Sequence, residues 1–380
     1  GYLITFIILQ ELITTGSFSF KNFYERRVRR LLPALLVVML VSLPFAWMYL
    51  LPGSLIDFSK SILYSLGYSS NFYFWNSGQI YGAESGLLKP FLHTWSLSVE
   101  EQYYILFPII FLITFKLFRK YLIYTLMLGF IISLFAADWG SRNYPGFNFY
   151  SLPTRGWELL AGSILAYFEI TLGHRSKHKT LNLILPSIGL LLIGYSIFFF
   201  NDKMFHPSFY TLFPIIGVCL IIWFSNKNEL ITKILSTKLF VGIGLISYSL
   251  YLWHYPIFAF ARITELYGDD AYKNIIVVTC ILIFSLISYY LVERPARHKK
   301  YKFKIIFTLI ITCYLILIFF NNKIIYNNGY KYRFPEILDI REKEILRDPL
   351  SFKRCNWGEV TTCYFNQKSN QKNLGTIKSS

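Results

Sequence analysis

Apolar residues in this chain fall in long unbroken stretches, and ten of these are of the order of the roughly 20 residues that a bilayer-crossing helix needs. They lie near residues 1–15, 31–51, 91–115, 121–138, 154–171, 181–200, 208–225, 239–261, 274–292 and 304–320. Continuous runs predict α-helices, whereas a membrane β-barrel would alternate apolar and polar residues over segments of about ten. The pattern predicts an all-α, polytopic transmembrane helical bundle of about ten spans. One further stretch, 58–76, is too polar to cross easily, because it holds Ser59, Ser61, Ser65, Gly67, Ser69, Ser70 and Asn71. It reads as an interfacial or re-entrant segment packed against protein.

Composition agrees with a membrane chain. Hydrophobic residues make up 54% of the 380 positions and aromatics 19%, which excludes an ordinary soluble domain. The net charge of +17 suggests a nucleic-acid partner until the basic residues are placed. When connectors are assigned alternately to two sides, 16–30, 116–120, 172–180, 226–238 and 293–304 carry twenty Lys and Arg. The opposite connectors, 52–90, 139–153, 201–207 and 262–273, carry six. Such asymmetry is the positive-inside rule, and it sets the first group in the cytoplasm. The charge therefore reports orientation among membrane lipids and implies no nucleic acid. The polar tail after about residue 321 then falls outside the cytoplasm.

Cys219, Cys280 and Cys313 lie in apolar runs, where packing accounts for them. Cys355 and Cys363 lie in the exported tail, where an oxidising compartment allows a disulfide. Their spacing, with no histidine nearby, makes no metal motif. The chain opens inside an apolar run without a methionine, and the assigned topology asks for a helix before it. We expect a fragment without its first helix.

Five strings carry groups able to do chemistry. In Lys21–Pro33 the arginines Arg26, Arg27, Arg29 and Arg30 sit at a cytoplasmic mouth. They act either as a topology anchor or as forks for the phosphates of a nucleotide-like donor. In His93-Thr94-Trp95-Ser96-Leu97-Ser98-Val99-Glu100-Glu101-Gln102, a histidine and two carboxylates open an apolar run. Ionisable groups at membrane depth are costly and mark sites by default. Consecutive glutamates point about 100° apart on a helix, so at most one of Glu100 and Glu101 faces the interior. Arg155 and Glu158, three apart, can pair on one helix face. His254 precedes Tyr255-Pro256 in an apolar run, and Val292-Glu293-Arg294-Pro295 closes another as a stop with a basic anchor. There is no P-loop, GxSxG elbow or zinc-spaced cluster.

Taken in order, these strings resemble the acyltransferase-3 family of integral-membrane O-acyltransferases. The resemblance rests on Gly1–Thr5, Phe23–Ala34, His93–Tyr104, Pro153–Glu158, Ile246–Pro256 and Val292–Pro295. It implies an acyltransferase transferring groups other than aminoacyl groups, in a bacterial inner membrane. The donor would be cytoplasmic acetyl-CoA or another acyl-CoA, with no metal. The acceptor would be a hydroxyl of a cell-surface glycan such as lipopolysaccharide O-antigen. The branch it resembles carries an extra helix and a periplasmic SGNH-type domain. Residues 1–300 would then be the acyltransferase domain, 301–322 the extra helix, and 323–380 a periplasmic linker to an SGNH domain outside the chain.

The roles implied are donor binding by Arg26, Arg27, Arg29 and Arg30, and catalysis by Glu100, Glu101 and His93. Arg155, Glu158 and His254 would line the substrate path. The family's first-helix histidine lies outside this sequence, so the fragment alone is expected to be inactive. A glycan-precursor transporter or flippase is the alternative, since buried carboxylates can also couple transport to protons. An anchor that only displays the tail would leave Glu100 and Glu101 without a chemical role.

Overall fold

The structure is a computed structural model and describes residues 1–79, 85–201, 204–226, 229–298 and 300–334. Every one of the ten apolar runs is helical, and no strand occurs among the described residues. The chain starts with α1 (Tyr2–Thr15), closed by Gly16, and α2 (Phe20–Tyr49). After these come α3 (Pro52–Leu66), α4 (Ser70–Gly78), α5 (Thr94–Leu117) and α6 (Leu122–Asn143). A short α7 (Pro145–Tyr150) leads to α8 (Leu152–Leu172), α9 (Lys179–Phe199), α10 (Leu212–Phe224) and α11 (Leu230–Leu235). The remainder is α12 (Lys238–Ile263), α13 (Ala271–Ser288), α14 (Arg294–Arg297) and α15 (Phe303–Tyr326).

Six helical segments are long and apolar enough to cross a membrane: Phe20–Tyr49, Thr94–Leu117, Arg119–Asn143, Lys179–Phe199, Ala271–Arg297 and Phe303–Tyr326. Tyr2–Thr15 and Phe209–Phe224 are apolar but shorter, while α8 and α12 have the length with more polar residues. The protein is thus a multi-pass helical membrane protein, and the measure of length and composition gives six spans where the sequence pattern gave about ten. In the polar stretch 58–76 the helix breaks between α3 and α4, with Tyr68 at a φ of 49°. Its Ser59, Ser61, Ser65, Ser70 and Asn71 are all buried. Cys355 and Cys363 lie outside the described residues.

The chain divides into two units. The first comprises Gly1–Arg30, Tyr68–Trp75 and His93–Leu250. Its core joins Ile4, Ile8 and Leu12 of α1 and Phe23 of α2 to Tyr103, Phe107 and Phe111 of α5. α8 packs on α1 and on α6. α9 and α10 cross where Gly189 meets Gly217; a Cβ on either would lie 2.6 Å from the other's carbonyl oxygen. Only glycine allows that approach.

The second unit comprises Leu31–Gly67, Asn76–Leu92 and the described residues from Tyr251 on. There α15 packs on α3, and the Tyr314 hydroxyl donates to Leu66 O. Arg333 donates to Trp47 O and to Leu50 O, the latter at 3.1 Å, and so caps the carbonyls at the end of α2. Between α13 and α14 a π-helical turn, Tyr289–Glu293, buries Glu293 completely, with Arg297 Nη2 at 2.6 Å. The stop read at this string contains a buried ion pair as well as a basic anchor.

Candidate active site

The first unit gathers nearly all the ionisable groups singled out in the sequence, and α5 is its spine. Thr94, Ser98 and Gln102 recur every four residues and therefore share one face. Thr94 Oγ1 donates to Ser70 Oγ at 3.0 Å, and the Ser70 and Ser98 hydroxyls lie 2.8 Å apart. Gln102 Nε2 donates to Tyr68 O and to Asn71 Oδ1, both at 2.9 Å, and Asn71 Nδ2 donates to Tyr150 O at 3.0 Å. This face closes over the backbone freed where the 58–76 helix breaks. Buried polar groups need such partners. His93 immediately precedes α5 and is buried.

A second face of α5 carries charge. Glu101 is buried and Glu100 is exposed, as the angle between consecutive residues requires. Arg27 of α2 pairs with Glu101 at 3.2 Å and lies 3.5 Å over the Tyr104 ring and 5.5 Å from that of Phe23. The Arg27 Nε is buried and has no hydrogen-bond partner among the described residues. The Tyr24 hydroxyl donates to Tyr104 O at 3.3 Å, a further link from α2 to α5.

The other three arginines differ in their partners. Arg29 pairs with Glu25 at 3.0 Å one turn back, and Arg26 reaches Glu11 of α1 at 3.8 Å. Arg30 is exposed and makes no ion pair among the described residues. Glu100 lies within electrostatic reach of Arg27 and Arg30 and also of Glu158.

At α8, Arg155 lies beside two rings that pack on each other 4.7 Å apart, 4.7 Å from that of Trp95 and 4.8 Å from that of Phe149. Its Nε donates to Phe149 O at 2.7 Å and its Nη1 pairs with Glu158 at 3.4 Å. A planar guanidinium resting against aromatic rings is an arrangement lysine cannot copy. Tyr103 and Ser163 share a buried hydrogen bond of 3.0 Å that ties α5 to α8.

His254 belongs to the second unit, where its Nδ1 lies 2.7 Å from Tyr251 O within the same helix. No cluster of metal-ligating side chains occurs among the described residues. Sequence reasoning passed over Ser70, Asn71, Tyr104 and Phe149 as site residues. The four-residue repeat through Thr94, Ser98 and Gln102 was the available signal for the first two.

A multi-pass helical protein with a paired arginine and glutamate in its interior, and a second arginine held against aromatic rings in the same unit, is a membrane protein with buried charged groups. The chain belongs to the acyltransferase-3 family: residues 1–294 match the family's model, described as an acyltransferase domain. It is 32% identical over 325 residues to O-acetyltransferase OatA of Staphylococcus aureus strain NCTC 8325 / PS 47, covering 80% of this chain and 51% of that protein. The OatA proteins of strains COL and MRSA252 match with the same identity and coverage. The chain thus spans about half the length of these relatives. No solved structure matches it.

Proposed function

We propose that this chain is the membrane part of an O-acyltransferase. It takes an acyl group, acetyl by the names of its relatives, from cytoplasmic acyl-CoA and delivers it to a hydroxyl of a cell-surface glycan. Lipopolysaccharide O-antigen, capsule and peptidoglycan are the candidate acceptors. The membrane is a bacterial inner membrane, and the tail leads to a periplasmic SGNH-type domain in a longer protein. The observation that carries this reading is the meeting of the arginine cluster of α2 with the glutamates of α5.

Arg30 and Arg26, exposed, offer guanidiniums to the donor's phosphates. Arg27 and Arg29, each held by a carboxylate, fix the helix turn from which those two project. Glu100 assists proton movement in the transfer and Glu101 holds Arg27 in place. His93, Arg155 and Glu158 line the path in the first unit. The decisive experiment is mass spectrometry of surface polysaccharide from cells with and without the complete gene, before and after mild alkali. An alkali-labile acyl increment that vanishes with the gene supports the reading. Identical glycans from cells that express the gene would favour the transporter instead.

A further inference from the structure

The second unit turns a corner where two of its apolar spans meet the membrane surface, and that corner is basic. Helix α13 runs through the π-helical turn Tyr289–Glu293 into α14, and α15 opens after Lys302. The spans Ala271–Arg297 and Phe303–Tyr326 therefore end and begin here. Short turns tie the corner together. His298 N donates to Pro295 O at 3.0 Å, Lys300 N to His298 Nδ1 at 3.3 Å, and Ile305 N to Lys302 O at 3.1 Å. The corner is connector 293–304, on the side rich in lysine and arginine.

Almost nothing in the chain cancels this charge. Glu293 is the only carboxylate in the sequence between Asp270 and Glu336. The π-helical turn buries it completely, and Arg297 Nη2 takes it at 2.6 Å. Arg294, Lys300, Lys302 and Lys304 are left exposed, and none of them makes an ion pair among the described residues. Four cations this close repel one another and gather anions. The surface beside them is apolar, with Leu291, Ile305 and Leu309 all exposed.

A ligand that suits this corner brings negative charge and apolar chains in one molecule. A soluble nucleotide or nucleic acid would satisfy the cations and leave the apolar flank bare. We infer that the corner between α14 and α15 binds the headgroups of anionic phospholipids in the leaflet it faces. Phosphate oxygens take the fork of Arg294 and the ammonium groups of Lys300, Lys302 and Lys304. The acyl chains lie along Leu291, Ile305 and Leu309. Clusters of roughly four to eight Lys and Arg beside a membrane helix recognise such lipids. The pair of Glu293 with Arg297 serves the same end, because a carboxylate left on the surface among these lysines would repel the phosphates. The inference concerns a surface of the second unit and does not depend on the acyltransferase reading.

The test uses the purified full-length protein in nanodiscs of phosphatidylcholine, with or without phosphatidylglycerol. Phosphatidylglycerol should raise the melting midpoint, and added salt should shrink that rise, because exposed charges are screened. Each cation removed should weaken phosphatidylglycerol binding about fivefold, as roughly 1 kcal/mol per cation at a membrane surface gives. R294Q/K300Q/K302Q/K304Q should therefore lose the rise. K177Q/K179Q, which removes two exposed cations from connector 172–180 of the first unit, should keep it. A wild type indifferent to phosphatidylglycerol overturns the inference, and so does a quadruple variant with the full rise. Equal loss in K177Q/K179Q would show a bulk-charge effect and overturn it too. A photo-crosslinking phosphatidylglycerol needs no variant: adducts should map to residues 291–309, and adducts confined to other segments overturn the inference. A quadruple variant that keeps the lipid response yet binds acyl-CoA more weakly assigns the corner to donor phosphates instead.

Discussion

Arg27 and Glu101 meet at 3.2 Å in the buried face of the first unit, and the same guanidinium covers the Tyr104 ring at 3.5 Å. One arginine therefore fastens α2 to α5 twice. Removing either partner strands the other charge, which costs about 3 kcal/mol in a buried pair. Arg27→Ala and Glu101→Ala should each lower the melting midpoint in detergent. The double variant Arg27→Met/Glu101→Leu should regain most of that stability, because an apolar pair of similar volume replaces a buried ion pair at little cost. Two single variants that melt like wild type would show that the pair carries no weight.

The four arginines should separate by role. Arg30→Ala removes an exposed guanidinium with no ion pair among the described residues, so stability should stay unchanged. Acyl-CoA binding should weaken by about tenfold, the value of one charge-assisted bond of roughly 1.5 kcal/mol. Calorimetric titration of purified protein reads both effects. Equal donor affinity in wild type and Arg30→Ala would leave orientation as this arginine's role.

Much of this was legible before the structure. Every apolar run became a helix, because a bilayer leaves the backbone no partner except itself. The 100° rule allowed at most one glutamate of the two inside, and left open whether one was and which. What the sequence left hidden depends on contacts between distant segments. Nothing local marks Tyr104 as the ring beneath Arg27, or Phe149 as the second ring beside Arg155. The pairing of Arg26 with Glu11 and of Arg29 with Glu25 was equally hidden, since a run of arginines reads as four equal charges until its carboxylates are found. Glu293 was read as part of a helix stop, and its complete burial follows from a π-turn that no spacing rule announces.

Arg155 gives a direct test of this cluster. Lysine keeps the charge but has neither the flat face to lie against Trp95 and Phe149 nor the fork to reach Phe149 O and Glu158 together. Arg155→Lys should reach the membrane in normal amount and transfer acyl groups at roughly a tenth of the wild-type rate or less, as one lost charged hydrogen bond predicts. A variant with full turnover would reduce Arg155 to a bulk positive charge.

Gly329 offers a prediction for the second unit that is independent of function. The segment after α15 places Asn328, Gly329 and Tyr330 in succession at positive φ, with Gly329 at 69°. A Cβ at Gly329 would run into the backbone carbonyl of Pro52, at the start of α3. Two costs therefore act together on Gly329→Ala: a left-handed backbone that alanine dislikes, and a clash with atoms that cannot swing away. Beyond this turn Arg333 caps α2 through Trp47 O and Leu50 O while lying 4.4 Å from the Trp47 ring, so displacing the turn also withdraws the cap. Gly329→Ala should lose about 2 kcal/mol or more, and Arg333→Ala should add little on top of it, because the first change already disturbs the second contact. Asn328→Gly is the control, since glycine accepts its φ of 49° and stability should hold or rise. Melting curves of wild type, Gly329→Ala, Arg333→Ala, their double variant and Asn328→Gly in one detergent decide it: an unaltered Gly329→Ala midpoint, or strictly additive losses, would show that the turn and the cap are not coupled.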